Sequence, residues 1–172
     1  MAEPSLSRTR RLSLMALLTA MALGIFALEA QLPALAPIPG VKLGLANIVT
    51  LAAMCLLGRR EAGAVLLVRI LMSAMFVASP STLIFSAVGG CFAYLCMCVL
   101  TALIPEKRLW VTSAIAAVAH NAGQLLASIW VVKTRGLLVY APILAISGLI
   151  TGLFTGFAAM YLLRALRKLR RD

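Results

Sequence analysis

The chain has 172 residues, of which 63% are hydrophobic and 12% are charged, and its mean hydropathy is +1.04. A soluble domain carries about 25% charged residues, so this composition excludes an ordinary soluble protein and predicts an all-α integral membrane protein with one domain. The net charge is +11, but the basic residues flank apolar runs and form no basic face with interleaved aromatic residues, which argues against nucleic-acid binding.

Six apolar stretches, separated by Pro, Gly or charged residues, are long and uninterrupted enough to predict six membrane helices rather than barrel strands, although the second and third are short. In chain order they are residues 12–32, 43–57, 62–78, 83–104, 109–132 and 138–163. The membrane domain is therefore 12–163, between a basic N-terminal segment (1–11) and a basic tail (164–172). An uncleaved first helix is favoured over a signal peptide, because its apolar run is longer than a signal core and Pro37 would follow the cleavage site.

Lys and Arg are distributed unequally between the two sides of this arrangement. Twelve fall on one side, at Arg8, Arg10, Arg11, Arg59, Arg60, Lys107, Arg108, Arg164, Arg167, Lys168, Arg170 and Arg171. The other side has Lys42, Lys133 and Arg135. Because Lys and Arg are enriched in cytoplasmic loops, we expect both termini in the cytoplasm and the protein in the cell membrane as a multi-pass protein.

Small residues in two predicted helices indicate close contacts between helices. In the first helix they fall on one narrow face, opposite Glu29, at Ala16, Ala20 and Gly24. This face can pack inside the protein or dock on a partner subunit, and the sequence leaves both open. In the sixth helix the pattern predicts packing within the bundle, at Gly148, Gly152 and Gly156. The four cysteines form no C-x-x-C, so neither a metal site nor a cofactor is predicted.

The fifth predicted helix carries polar side chains within an apolar run. His120, the only histidine of the chain, is followed by Asn121 and, one turn later, by Gln124. Ser113 and Ser128 share the same arc of the helix. Lipid cannot satisfy such groups, so we expect this arc to face the interior of the bundle.

Other polar residues are expected to approach this arc from the outer side. Arg69 lies inside the third helix, where an unpaired cation costs about 2.5–3.5 kcal/mol. The candidate ligand-binding residues are Glu29, Lys42, Asn47, Arg69, Ser86, His120, Asn121 and Gln124. One interpretation is an outward-opening site for a small anionic or polar ligand. The other is structural, with Glu29 and Arg69 as a buried ion pair and with His120 and Gln124 joining helices.

The sequence resembles a known membrane family in three runs: PIPGVKLGLANIVTL (37–51), FSAVGG (85–90) and AHNAGQLLA (119–127). The family is heptaprenyl diphosphate synthase component I, also called the Gx transporter family, and the resemblance covers roughly residues 15–163. It implies a fold similar to the six-helix S components of energy-coupling-factor vitamin transporters. In those proteins the first helix docks, through an A-x-x-x-A motif, on a membrane coupling subunit driven by two ATPases. Ala16 and Ala20 fit that motif.

The chain lacks the catalytic groups that a prenyl diphosphate synthase requires. Such enzymes bind Mg²⁺ and diphosphate through aspartate clusters, yet the only aspartate is Asp172. The sequence also contains no G-x-x-x-x-G-K-[ST] loop. We therefore predict a non-enzymatic, substrate-binding subunit of an energy-coupling-factor type transporter, with ATP hydrolysed by partner subunits. The alternatives are a non-catalytic membrane component of polyprenyl diphosphate or quinone metabolism, and a membrane anchor for a redox complex.

Overall fold

The computed structural model of the protein describes residues 7–29, 31, 43–75 and 80–171, and the regular structure within these ranges is entirely helical. The α-helices are α1 (Arg8–Glu29), α2 (Asn47–Leu57), α3 (Arg59–Ser73), α4 (Pro80–Leu103), α5 (Leu109–Val132) and α6 (Ala141–Arg171). Short 3₁₀ helices precede α5 and α6, at Glu106–Arg108 and Arg135–Tyr140. Each predicted segment overlaps one of these α-helices, and the all-α prediction is confirmed for the described residues.

Several helices extend beyond the predicted apolar runs. α1 begins at Arg8 rather than at residue 12, and α6 continues through the predicted basic tail to Arg171. The added residues are mainly Arg, Leu, Ala and Lys, which have high helix propensity. Between α2 and α3 the only interruption is Gly58, whose φ of 106° is accessible to glycine and strained for other residues. Predicted positions 30, 32 and 76–78 lie outside the described residues.

Four helical segments of the described chain are long and apolar enough to cross a membrane: Arg8–Glu29, Pro80–Leu103, Glu106–Val132 and Arg135–Leu166. These segments identify a membrane protein. In contrast, α2 has 11 residues and α3 has 15. At 1.5 Å per residue their lengths are about 16 and 22 Å, less than the ~30 Å of the hydrocarbon core. Four of the six predicted spans therefore have the length and apolar composition that a crossing requires, and the prediction of six spans stays a prediction.

The helix α5 packs between α4 and α6. A Cβ atom on Gly152 of α6 would lie 2.5 Å from Cα of Ala114, and one on Gly156 would lie 2.5 Å from Cα of Trp110. A side chain at either position would force the two backbones apart, because real Cβ contacts are never so short. This contact confirms that the glycines of α6 pack within the bundle.

One end of the bundle is fixed by polar contacts near the α2–α3 junction. Arg11 of α1 forms an ion pair with Glu61 of α3. The hydroxyl of Tyr94 on α4 donates a hydrogen bond to the carbonyl of Arg59, with an oxygen–oxygen distance of 2.9 Å. The start of α1 and the junction therefore lie at the same end, as the predicted topology requires. Which side of the membrane this end faces stays a prediction.

Candidate ligand-binding site

The segment that precedes α2 reaches the centre of α5. A Cβ atom on Gly44 would lie only 2.7 Å from Cδ2 of His120, which is halfway along the 24-residue α5. Gly44 also has a φ of 75°, in the left-handed region that favours glycine. The helix α2 therefore begins near mid-depth and extends from there to the α2–α3 junction, which accounts for its short length.

A buried carboxylate connects this segment to α1. Glu29, the last residue of α1, is buried and accepts a hydrogen bond of 2.6 Å from the backbone N–H of Gly44. Hydrogen bonds to an ionised acceptor are stronger than neutral ones. The carboxylate of Glu29 therefore fixes the approach of the chain to α2, next to His120.

The imidazole of His120 lies between two glycines from different parts of the chain. On one side is Gly44, and on the other is Gly89 of α4, where a Cβ atom would be 2.9 Å from Cε1 of the ring. The same Cβ atom would be 2.7 Å from Cγ of Gln124, one turn further along α5. Both side chains are buried. They therefore occupy the space that these glycines leave free, where α4, α5 and the segment before α2 meet.

Arg69 of α3 borders the same region and is 3% exposed. Its guanidinium carbon lies 6.0 Å from the centre of the Phe26 ring, a distance that allows a cation–π interaction. A Cβ atom on Gly90 would lie 3.4 Å from Nη2. Within the described part of the chain, Nε and Nη2 of Arg69 have no hydrogen-bond partner. A buried cation is thus held in place by packing, with two of its donors unused.

Glu29 and Arg69 attract each other without direct contact. The charge of Arg69 interacts electrostatically with Glu29 and also with His120. Among the described residues, however, the ion pair within bonding distance joins Arg11 to Glu61, and Arg69 takes part in none. The buried Glu29–Arg69 ion pair of the structural interpretation is therefore not formed.

Asn47 and Ser86 complete this group. Asn47, the first residue of α2, is 6% exposed, and its Nδ2 lies 3.0 Å from the position of a Cβ atom on Gly44. Within the described chain this Nδ2 has no hydrogen-bond partner. Ser86 is buried on α4, one turn before Gly89 and hence on the same face of the helix. We refer to these residues as the polar cluster: Glu29, Asn47, Arg69, Ser86, His120 and Gln124.

Asn121 points away from the polar cluster and toward α6. Its Nδ2 donates a hydrogen bond of 2.8 Å to the carbonyl of Leu144 and lies 3.4 Å from Oγ of Ser147. Another α5–α6 contact joins the hydroxyls of Ser113 and Thr155, 2.8 Å apart. These polar groups connect two helices that also pack closely through the glycines of α6.

The polar arc predicted on α5 is thus buried, as expected, but it divides between two neighbours. His120 and Gln124 face α4 and the segment before α2, whereas Asn121 and Ser113 face α6. Consecutive residues of a helix are rotated by about 100°, so adjacent positions such as 120 and 121 face different neighbours. Lys42, also predicted in the site, lies outside the described residues.

Four residues of the site were not predicted from the sequence: Phe26, Gly44, Gly89 and Gly90. The glycines occur in the runs KLGLAN and VGG, but glycine has no side chain that would indicate a polar site. Phe26 lies three residues before Glu29 and so shares its helix face. This spacing is the sequence feature from which Phe26 could have been predicted as part of the site.

The small residues predicted for partner docking face outward from the described bundle. Ala16, Ala20 and Gly24 are exposed, and a Cβ atom on Gly24 would meet nothing within 4 Å. On the opposite side of α1, Leu18 and Ala22 are completely buried. Within the described residues, the alanine and glycine face is therefore not covered by another helix of this chain.

The described residues offer no group of three His, Cys, Asp or Glu side chains that could hold a metal ion. The polar cluster instead presents a guanidinium, a carboxylate, an imidazole, a hydroxyl and two neutral amides. Such groups are suited to bind and orient a small polar molecule.

Comparison with known proteins identifies the family. The model of the family described as heptaprenyl diphosphate synthase component I matches residues 18–162. No curated protein and no solved structure matches the chain. The matched range contains the whole polar cluster together with Ala20 and Gly24, whereas Ala16 lies just before it.

Proposed function

The chain belongs to the heptaprenyl diphosphate synthase component I family, and from this membership we propose that it is the substrate-binding membrane subunit of an energy-coupling-factor type transporter. Its ligand is a small vitamin- or cofactor-like molecule bound at the polar cluster. Partner subunits supply the ATP hydrolysis.

The observation that carries this proposal is the pair of unused donor groups inside the bundle. Arg69 and Asn47 are buried, and both keep donor atoms without a partner in the described chain. Burying an unsatisfied polar group costs about 1–3 kcal/mol, and more when the group is charged. Apolar side chains would fill the same volume at lower cost. Groups of this kind are expected where a ligand provides the missing partners.

The exposed face of α1 supports the partner part of the proposal. Ala16, Ala20 and Gly24 allow another helix backbone to approach closely, as in small-xxx-small contacts between membrane helices. A membrane coupling subunit would dock on this face, and Lys42 would approach the ligand from the outer side. In this arrangement both termini are cytoplasmic and the protein lies in the cell membrane.

A second candidate function follows from the description of the family. That description names a component of a synthase, so the chain would be a non-catalytic membrane component that acts with a soluble polyprenyl diphosphate synthase. The two candidates differ in their partners. Neighbouring genes for a membrane coupling subunit and ATPases favour transport, whereas a gene for an aspartate-rich synthase favours the second function.

The test of ligand binding uses α5. In protein purified from its native membrane, small molecules retained by the wild type are identified by mass spectrometry and then titrated by calorimetry. We expect His120→Ala and Gln124→Ala each to weaken binding by roughly 1–3 kcal/mol, because a bound polar group loses its partner. Melting should change less, since hydrogen bonds between membrane helices average only about 0.6 kcal/mol.

The matched control is Thr151→Ala on α6, which removes a hydroxyl bonded to carbonyls of its own helix. It should leave both retention and affinity unchanged. Wild-type affinity in a folded His120→Ala, Gln124→Ala double variant would remove these residues from the site and support a purely structural role.

A further inference from the structure

The unsatisfied atoms of the polar cluster include two adjacent donors on a single edge of Arg69. Nε and Nη2 both lack partners in the described chain. In a planar guanidinium these two nitrogens direct their N–H bonds side by side, in the geometry that binds the two oxygens of a carboxylate or phosphate. A single neutral carbonyl oxygen cannot match both bonds equally well.

A third unsatisfied donor lies in the same region. Nδ2 of Asn47 has no partner in the described chain and, like the guanidinium, it can only donate hydrogen bonds. His120 lies between the two positions. The Cβ position of Gly44 is 3.0 Å from Nδ2 of Asn47 and 2.7 Å from the His120 ring. On the other side of the ring is Gly89, and the Cβ position of the next residue, Gly90, is 3.4 Å from Nη2 of Arg69. The unused atoms of these two side chains are therefore all donors, which require an acceptor.

The carboxylate of the cluster does not act as this acceptor. Glu29 is bonded to the backbone N–H of Gly44 and makes no direct ion pair with Arg69. The helix α2 adds an electrostatic field that favours an anion, because the positive end of the helix dipole lies at Asn47. Its first N–H groups are already bonded in a tight turn, for example Asn47 N–H to the Gly44 carbonyl at 3.0 Å. The missing acceptor must therefore come from outside the described chain.

We propose that the molecule bound at the polar cluster carries an oxyanion, a carboxylate or phosphate group. Two of its oxygens accept hydrogen bonds from Nε and Nη2 of Arg69, and Asn47 donates a third bond. The inference rests on the proposed function, since it assumes that the cluster holds a ligand. It adds that the recognised feature is an anionic group, supplied by a soluble metabolite or by a lipid headgroup.

The experiment uses three small probes with the full-length protein in dodecyl maltoside micelles, which carry no phosphate or carboxylate group. Butyrate and inorganic phosphate carry an oxyanion, whereas butyramide is a neutral analogue of butyrate. We expect the two anions to raise the melting temperature of the wild type and butyramide to leave it unchanged. Dissociation constants are measured by calorimetry.

Two substitutions of Arg69 separate the charge from the hydrogen-bonding geometry. Arg69→Lys keeps the cation but loses the pair of parallel N–H bonds, and it should weaken anion binding at least about tenfold. Arg69→Met should abolish binding. Arg60→Met is the matched control, because Arg60 is exposed on the same helix. Without anion, Arg69→Met should melt no lower than the wild type, since it removes an unpaired buried cation.

The outcomes distinguish this inference from the proposed function. If butyramide stabilises the wild type as much as butyrate does, and Arg69→Met loses both effects, the oxyanion inference is overturned. The ligand-binding site itself would remain supported by that result. Anion binding that persists in a folded Arg69→Met variant also overturns it. If neither anions nor amide bind and no small molecule is retained, both the inference and the proposed function fail. Stabilisation that requires both added phosphatidylglycerol and Arg69 supports the oxyanion and assigns it to a lipid headgroup.

Discussion

At the level of single residues, the position of His120 depends on glycines as much as on polar partners. Gly44 and Gly89 lie on its two sides, and neither position has room for a Cβ atom. Gly44 must in addition adopt a positive φ. These two constraints act together with a third, because the N–H of the same residue donates a hydrogen bond to the carboxylate of Glu29. A single position thus sets the start of α2 and the wall of the polar cluster.

Replacing Gly44 by Ala should therefore be costly. The new Cβ atom would lie 2.7 Å from Cδ2 of His120, and the strained φ adds to the clash. Together these effects should lower the free energy of unfolding by about 1–3 kcal/mol. Thermal unfolding in detergent measures the change.

Gly24→Ala is the control for this substitution. Gly24 lies in α1 with nothing within 4 Å of its Cβ position, so the alanine should be neutral or should stabilise the helix by roughly 0.5–1 kcal/mol. Equal destabilisation by both substitutions would show that the close approach of Gly44 to His120 does not exist in the folded protein.

At the level of helices, α1 has two faces with different roles. Leu18 and Ala22 are buried in the core that α1 shares with the other helices, and Glu29 at the end of α1 is buried as part of the polar cluster. The face with Ala16, Ala20 and Gly24 is exposed. Because the two faces are separate, substitutions can change a partner contact without altering the site.

Enlarging the exposed face should weaken partner binding selectively. In an Ala16→Leu, Ala20→Leu double variant, we expect co-purification of a membrane coupling subunit to fall while retention of the small molecule is unchanged. The control is an Ala122→Leu, Ala145→Leu double variant, which enlarges two exposed alanines on α5 and α6. Equal loss of partner from both variants, or loss of the small molecule from the first, would exclude α1 as a dedicated docking face.

At the level of the whole molecule, the basic loops and the polar cluster lie at different depths along the bundle. The contact of Arg11 with Glu61 fixes one end, and α2 extends from that end to the centre of α5. The polar cluster therefore lies deeper than the basic loops, and the side from which a ligand enters depends on the orientation in the membrane. The excess of Lys and Arg at one end predicts that this end is cytoplasmic.

Cysteine labelling in intact cells tests this orientation. The four native cysteines are replaced first, since Cys91 is exposed. A membrane-impermeant maleimide should label Arg135→Cys from outside and should label Lys107→Cys only after the membrane is permeabilised. Both residues are exposed, so accessibility does not depend on unfolding. Labelling of Lys107→Cys in intact cells would reverse the topology and place the basic end outside.

Much of the architecture could be predicted from the sequence because it depends on composition and local pattern. Apolar runs in a membrane must form helices, since lipid offers no partner for backbone N–H and C=O groups. The repeat of Gly148, Gly152 and Gly156 likewise indicated a close helix contact, which the structure shows against α5. The burial of Arg69 and His120 followed from the cost of exposing them to lipid.

The tertiary structure decided which of these polar groups meet. The sequence could not show that Arg69 lies over Phe26 without contacting Glu29 directly, or that Gly44 reaches His120 at the centre of α5. It also grouped Asn121 with His120, although Asn121 bonds to α6. Burial is a property of one residue and its helix face, whereas these contacts depend on the relative rotation and depth of several helices. Those quantities are set by packing across the whole bundle, and a rotation of about 100° is enough to turn a side chain from one neighbour to another.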